Sequence, residues 1–463
     1  MSTQQTITEA LLDYIHGTTF ESIPKDVVTE LNRCLVDGFA VMLAGSRAEC
    51  SHIVRQYIQQ TGTAGNCSVI GTNLKTSVSL GALANGVAAH ADDFDDTQLA
   101  QTPDRIYGLL THPTTPALAA TLAAAQDVDA SGKDFLAAFC VGQEVECKMS
   151  EAINPQHYVQ GFHSTGTFGI FAATAAAAKL YGLTPQQTRF ALGIAASKSS
   201  GIRVNFGTMT KPYHAGAAAE NGIIATKLAE LGYEADPNGL DGPWGYFQVT
   251  GGGVDSDRLI GRLGNPYTIA WPGISVKPYP CGSLSHPSMD TMLDLVLEHD
   301  VKPEDVEEVR LSAGSNILNP LRYQDPQNEL EAKFSLQFCL GILLLRRRAG
   351  IQEFTDDVVL SPEVQEIMRR VHTLHSSEIE AQGAERMRSL VEIQLKNGQV
   401  LSREATTSRG QPDRPMSKTE MSGKFADCAT PTLSANGITE ALDAIYRVEQ
   451  MGSVNELIGV LTS

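Results

Sequence analysis

Eight cysteines are present, yet no two form a CxxC pair: they stand scattered at Cys34, Cys50, Cys67, Cys140, Cys147, Cys281, Cys339 and Cys428. That spacing indicates neither a zinc site nor a disulfide framework. Aromatic residues make up only 6% of the chain, with two tryptophans, so a pocket walled by aromatic rings is not expected. Positive charge is also short: 35 Lys and Arg stand against 53 Asp and Glu, a net charge of −18. Phosphate would be repelled over most of such a surface, which excludes a general nucleic-acid binder and leaves an anionic substrate in need of a local basic pocket. The most apolar run, FCLGILLL at 338–345, falls well short of the ~20 residues that span a bilayer and ends in Arg346-Arg347-Arg348. The opening MSTQQTITEALLDYIHG lacks a basic n-region and an apolar h-region, so a signal peptide is not indicated and a cytoplasmic protein without membrane contact is expected. There is no GK[ST], no GxGxxG after a strand, no GxSxG and no HExxH, so nothing calls for a nucleotide cofactor or a zinc hydrolase.

What is there reads first as helix. At 463 residues two domains are the starting expectation. Helical periodicity covers 7–16, 25–44, 50–62, 77–90, 116–126, 132–152, 165–181, 185–198 and 214–232. Thr184-Pro185 and Thr115-Pro116 each read as an N-cap followed by proline in the first turn, and Gly182 as a C-terminal stop. Small residues dominate in GALANGVAAH (81–90), FAATAAAAKL (171–180) and HAGAAAENG (214–222), which lets helix axes approach closely. A bundle of small side chains must bury many helices against each other, and a homodimer is expected. From about 275 the texture changes. VEEVRLSAG (306–314) and SLVEIQLKNGQVLSREATT (389–407) alternate as strands, with Asn397-Gly398 as a hairpin turn, and helices are expected at 286–299, 331–347 and 362–372. SKTE (417–420) matches a capping box, and 437–461 reads as helix again. The expected fold is mainly α: a large helical bundle over 1–272 and 408–463, interrupted by a smaller α+β lid domain over 273–407.

The chemistry-bearing residues lie between these helices. HADDFDDTQ (90–98) sets four carboxylates past the C-terminal end of a helix, facing the negative end of its dipole. Asp92, Asp93 and Asp96 fit a DDxxD run that could hold Mg²⁺ for diphosphate chemistry; the other readings are a solvated acidic loop and a charge partner in a proton-transfer pocket. No second metal motif accompanies it, and a calcium loop fails for want of Gly and Glu at the required positions. His112 precedes Pro113 just ahead of a helix, where free N–H groups favour an anion; a loop imidazole bonded to backbone is the plainer reading. Tyr158 and His163 lie in HYVQGFHSTGTFG (157–169), at a glycine-rich helix entry; they carry a proton or merely pack against the bundle. Lys211 is the lone charge in NFGTMTKPYHAG (205–216), either a surface side chain or a partly buried cation with a tunable pKa. Lys277 and Tyr279 lie in SVKPYPCGSLSHP (275–287), at the expected domain junction where clefts form.

HADDFDDT, THPTTPAL, GFHSTGTFG, NFGTMTKPYHAG, VKPYPCGSLSHP and EAKFSLQF (331–338), in that order, resemble the MmgE/PrpD family of 2-methylcitrate dehydratase-like enzymes. The resemblance implies a helical domain with an inserted lid, an active site between them, no cofactor, no metal, and a small di- or tricarboxylate as substrate. It implies Asp93 and Thr97 in the acidic segment, His112 and His163, Lys211 and Lys277, and Tyr158 as a proton carrier. His163, Lys211, His112, Tyr158 and Asp93 are the expected catalytic residues, with Lys277 and Thr97 binding substrate. Among family reactions, dehydration of a 2-methylcitrate type ranks first, epimerisation of an iminodisuccinate-like dicarboxylate second and cis-aconitate-type decarboxylation third. Decarboxylation ranks last because fourteen residues, Gln98 to Thr111, separate Thr97 from His112, and because Ile317 in SNILNPLRY stands where decarboxylases carry an active-site tyrosine. A Mg²⁺-dependent diphosphate enzyme is the reading from another class.

Overall fold

The computed structural model describes residues 5–98, 111–153, 155–383 and 387–462. The protein is mainly α. The nine helices expected before residue 270 are present as α1 Ile7–Gly17, α2 Lys25–Gly45, α3 Glu49–Thr61, α4 Val78–His90, α5 Thr114–Asp127, α6 Gly132–Ile153, α7 Ser164–Leu180, α8 Pro185–Lys198 and α9 Thr210–Glu230. Thr184 caps α8 through Gln187 N–H, and Gly182 takes φ +63 just behind α7.

Two local expectations fail for physical reasons. Thr115 does not cap α5: the helix starts at Thr114, and the hydroxyls of Thr114 and Thr115 donate to Asp96 and Asp95. Helix α9 begins at Thr210 rather than at 214, because Pro212 falls in its first turn, where N–H groups have no intrahelical acceptor and proline is tolerated.

Beyond residue 275 come α10 His286–Glu298, β1 Val306–Ala313, α11 Leu336–Arg346, α12 Pro362–Met368, β2 Val371–His375, β3 Ser389–Leu395 and β4 Val400–Ala405. The strands form one sheet in the order β2-β1-β3-β4, with β1 and β2 parallel and the rest antiparallel. The Asn397-Gly398 turn joins β3 to β4, with Gly398 at φ +88. The expected helix over 362–372 is cut short, since Val371 pairs with Val309 and begins a strand. That over 331–347 starts only at Leu336, capped by Ser335. Last come α13 Lys418–Ala429, capped by Ser417 and Glu420 as SKTE implies, α14 Ala435–Tyr446 and α15 Asn455–Leu461; the single helix expected over 437–461 is broken.

Burial divides the chain. Met421, Phe425 and Cys428 of α13 share a core with Leu35, Phe39 and Met42 of α2, whereas Met289, Val309, Leu340 and Val391 belong to a second core. We propose on this ground that 1–272 and 408–463 form one domain and 273–407 an insertion. Helices α4 and α9 meet at glycines: a Cβ on Gly86 would lie 2.8 Å from Gly216 Cα, and one on Gly216 2.6 Å from Leu83 O. That approach sets Lys211, at the start of α9, against the end of α4. Among the described residues, no helix is long and apolar enough to cross a membrane.

Candidate active site

Helix α4 ends at His90, and the acidic run beyond it is neither helical nor solvated. Asp93, Asp95 and Asp96 are 4%, 0% and 0% exposed, which overturns the reading of the run as a solvated acidic loop. Buried carboxylates at this spacing need partners, and each has its own. Asp93 turns the chain at φ +50, a left-handed conformation that Asp tolerates better than most residues. Its Oδ1 receives Lys211 Nζ at 2.9 Å and Lys277 Nζ at 2.7 Å. Burial opposes charge on Asp93, but Lys211 and Lys277 outweigh it and hold the carboxyl far below its usual range. Burial lowers the Lys211 pKa, and Asp93 restores part of the loss.

The neighbours are equally specific. Asp92 pairs with buried Lys333 at 3.2 Å. Asp95 accepts from Thr115 Oγ1 at 2.7 Å and lies 2.8 Å from His90 Nδ1. Burial would raise Asp95, but His112 and His90 hold it well below the usual carboxylate range. Asp96 accepts from the Thr114 hydroxyl, and burial together with Asp37 pushes it up to about 7. The helix-dipole penalty is therefore met by Lys211, Lys277 and Lys333. The DDxxD reading loses its basis, because Asp92, Asp93 and Asp96 lie beyond the helix and are taken by Lys333, by Lys211 with Lys277, and by Thr114 in turn.

Lys277 reaches Asp93 because its segment is stitched to the acidic loop: Thr97 and Ser275 exchange backbone hydrogen bonds at 2.8 Å each way, and Thr97 Oγ1 lies 3.2 Å from Ser283 Oγ. Lys424 of α13 supports both from beneath. Its ammonium donates to Phe94 O at 2.8 Å and Lys277 O at 2.9 Å, and pairs with buried Asp37 at 2.5 Å.

Three imidazoles face this cluster. His90 Nε2 lies 2.9 Å from Lys211 Nζ, and the His90 ring centre is 4.5 Å from His112 and 5.6 Å from His163. His112 Nδ1 stands 3.1 Å from Asp95 Oδ2, off the hydrogen-bond direction. Burial, reinforced by Lys211, pushes His90 down to about 3; burial also lowers His112, and burial and Lys211 lower His163 well below its ordinary value. His163, which has no carboxylate beside it, is neutral at pH 7. His163 caps α7 without using its side chain, and its Nε2 is buried with no hydrogen-bond partner among the described residues. Tyr158 lies under the Arg203 guanidinium, 3.8 Å from ring centre, and burial raises its hydroxyl pKa.

Asp93, Thr97, His112, Tyr158, His163, Lys211 and Lys277 all line one cleft, with Phe206, Ser283 and Phe334 among its other walls. Tyr279 is elsewhere, held by Asp290 and Arg409. Ligating atoms of His90, Asp93, Asp95 and His112 lie within 4.8 Å of one another, a spacing a metal could use. A cation there would meet two fixed ammonium groups already on Asp93, so these residues fit an anion better than a metal.

Residues 9–258 match the MmgE/PrpD N-terminal domain, and residues 279–446 the MmgE/PrpD C-terminal domain. The chain belongs to the MmgE/PrpD family. Cis-aconitate decarboxylase of Mus musculus is 26% identical, covering 99% of this chain and 93% of that one. The human cis-aconitate decarboxylase is 26% identical over 99% of this chain and 95% of its own length, and that of Aspergillus terreus 24% over 98% and 96%.

Both departures noted in the sequence of this MmgE/PrpD protein change weight. Gln98 N–H donates to Thr111 O at 3.0 Å, so the ends of the fourteen-residue stretch lie side by side, and Thr97 and His112 reach one cleft. Residues 99–110 lie outside the described residues. Ile317 is packed in the second core, and Pro320 and Leu321 line the cleft instead. Sequence reading missed His90, Asp95, Lys333 and Lys424. His90 and Lys333 stand inside HADDFDDT and EAKFSLQF and were within reach; Lys424 carries no local signal.

Proposed function

We propose that this protein is a cofactor-independent lyase of small di- or tricarboxylates, and that decarboxylation of a cis-aconitate-like substrate is its foremost reaction. This replaces the ranking drawn from sequence, which put dehydration first. Support for the change comes from full-length relatives named as cis-aconitate decarboxylases and from the reduced weight of the Gln98–Thr111 stretch and Ile317. The observation that carries the reading is one carboxylate oxygen, Asp93 Oδ1, shared by Lys211 and Lys277 in a cleft that also holds the unpartnered His163 Nε2.

The shared difficulty of these reactions is negative charge developing on a carbon beside a carboxylate. When the methylene carboxylate of cis-aconitate leaves as CO₂, its bonding electrons form a new double bond to the central carbon. The old double bond shifts its electrons onto the far carbon, whose carboxylate spreads them as an enediolate. Fixed cations placed before the reaction stabilise such charge without reorganising, and Lys211 and Lys277 are assigned that role together with the grip on substrate carboxylates. A proton must then reach the far carbon. His163 is assigned this transfer: burial and Lys211 keep it neutral, and a bound polyanion offsets the lysine that depresses it. Tyr158, kept protonated by burial, and His112 are the partner acids. Asp93 holds both lysines in place, and Thr97 lines the binding end.

The test is EDTA-treated protein incubated separately with cis-aconitate, 2-methylcitrate and iminodisuccinate. Release of CO₂ from cis-aconitate supports the proposal. Absorbance of a new alkene from 2-methylcitrate, or stereochemical scrambling of iminodisuccinate without net conversion, moves the protein to dehydration or epimerisation. Activity that EDTA abolishes returns the diphosphate or another metal-dependent reading.

A further inference from the structure

His214 is left idle by that scheme, yet it touches His163 through like atoms. Nδ1 of His214 lies 3.0 Å from Nδ1 of His163, with 5.2 Å between ring centres. Between two neutral imidazoles such a contact holds one hydrogen, so one Nδ1 donates and the other accepts. The tautomers are thereby linked. With the hydrogen on His163 Nδ1, its Nε2 presents a lone pair; with the hydrogen on His214 Nδ1, His163 Nε2 carries N–H. That Nε2 belongs to a cleft-lining residue and has no partner among the described residues. His214 is the outer ring, 8% exposed against 1% for His163. The backbone leaves room for the pair: a Cβ on Gly166 would come within 3.1 Å of His214 Cβ, and one on Gly201 within 3.5 Å of His214 Nδ1 and His163 Cβ. Gly201 sits at φ +138, and its carbonyl accepts His163 N–H at 3.0 Å.

We propose that His163 and His214 form a two-imidazole proton relay, in which His214 decides whether His163 meets the substrate as base or as acid and exchanges the proton with solvent. The proposal rests on the carbanion chemistry assigned above. As base, His163 Nε2 takes a proton from carbon while its Nδ1–H passes to His214 Nδ1, and His214 releases its Nε2–H to water. Both rings end neutral with the tautomers reversed; running backward, the same steps deliver a solvent proton to carbon. Burial, with Lys211 beside both rings, disfavours a resting imidazolium at either one.

The full-length protein labelled with ¹⁵N-histidine tests the pair without any substrate. A scalar coupling across the N–H···N hydrogen bond is expected between two Nδ1 resonances, lost in both His163→Asn and His214→Asn. Its absence in the folded wild type overturns the relay. With cis-aconitate as probe, His214→Asn keeps a hydrogen-bonding amide that cannot pass a proton, and kcat should fall ~10–100-fold with KM little changed. Imidazole should restore part of the kcat of His214→Ala. Wild-type kcat in His214→Asn overturns the relay. If the wild type leaves cis-aconitate unchanged, the substrate assignment fails and the coupling alone decides the relay.

Discussion

Lys277 holds Asp93 twice, donating to its carboxylate Oδ1 and to its backbone carbonyl at 2.7 Å each. The double contact fixes an aspartate at φ +50 and turns its side chain into the anchor for a second ammonium, that of Lys211. Asp93→Asn tolerates the same backbone angle but removes the charge that anchors both ammonium groups. Turnover should fall ~10²-fold or more through loss of preorganised charge. Asp93→Ala should lose activity as well and be less stable than Asp93→Asn by about 1 kcal/mol, the cost of a left-handed residue without a polar side chain. Thermal melts and kcat of the two variants check both points; equal stability would mean that the turn is not strained.

Lys211→Ala leaves Asp93 with Lys277, so no charge is orphaned, and His163→Ala removes a ring whose Nε2 has no protein partner. Each should lower kcat ~10²-fold or more while the thermal midpoint stays nearly unchanged. Steady-state kinetics beside calorimetric melts decide this. Activity surviving both changes removes the two residues from the mechanism.

Lys211 and Lys277 stand against Asp93 and Asp95, beside a neutral His163. A di- or tricarboxylate adds negative charge, which raises the depressed histidine pKa values and draws protons in. Groups that gain protons on binding strengthen binding as pH falls. Affinity for cis-aconitate should therefore weaken as pH rises and the imidazoles lose those protons. Titration calorimetry in buffers of differing ionisation enthalpy should register proton uptake; proton release would reverse the charge assignment.

Lys424 ties α13 to the site through Phe94 O, Lys277 O and Asp37. Lys424→Met leaves Asp37 buried and unpaired, which should cost about 3–5 kcal/mol. Pairing it with Asp37→Leu should return much of the stability, but not the support beneath Lys277, so kcat should stay low. Denaturant unfolding and kinetics of the single and double variants separate the two effects; full activity in the double variant would make Lys424 purely structural.

Much of this was legible in the sequence, for identifiable reasons. Helices α1 to α9 follow from periodicity, and the Thr184 and Ser417 caps and the Asn397-Gly398 turn are local signals whose chemistry needs no tertiary context. The seven site residues come together in one cleft because each occupies a helix end or loop where small neighbours leave it room. What stayed hidden depends on distant partners. Lys424 reads as a surface lysine until Asp37, far away in sequence, is seen across from it. Thr115 reads as a cap until Asp95 claims its hydroxyl, and Val371 as helix until Val309 pairs with it.

The decisive experiment is cis-aconitate with metal-depleted protein in D₂O, followed by proton and carbon NMR. The mechanism requires CO₂ release and one deuterium on the product's saturated carbon, the former alkene CH that still bears its own carboxylate, with the rate collapsing in Lys211→Ala. Unchanged substrate across the whole carboxylate panel, or turnover indifferent to Lys211 and Lys277, would contradict it.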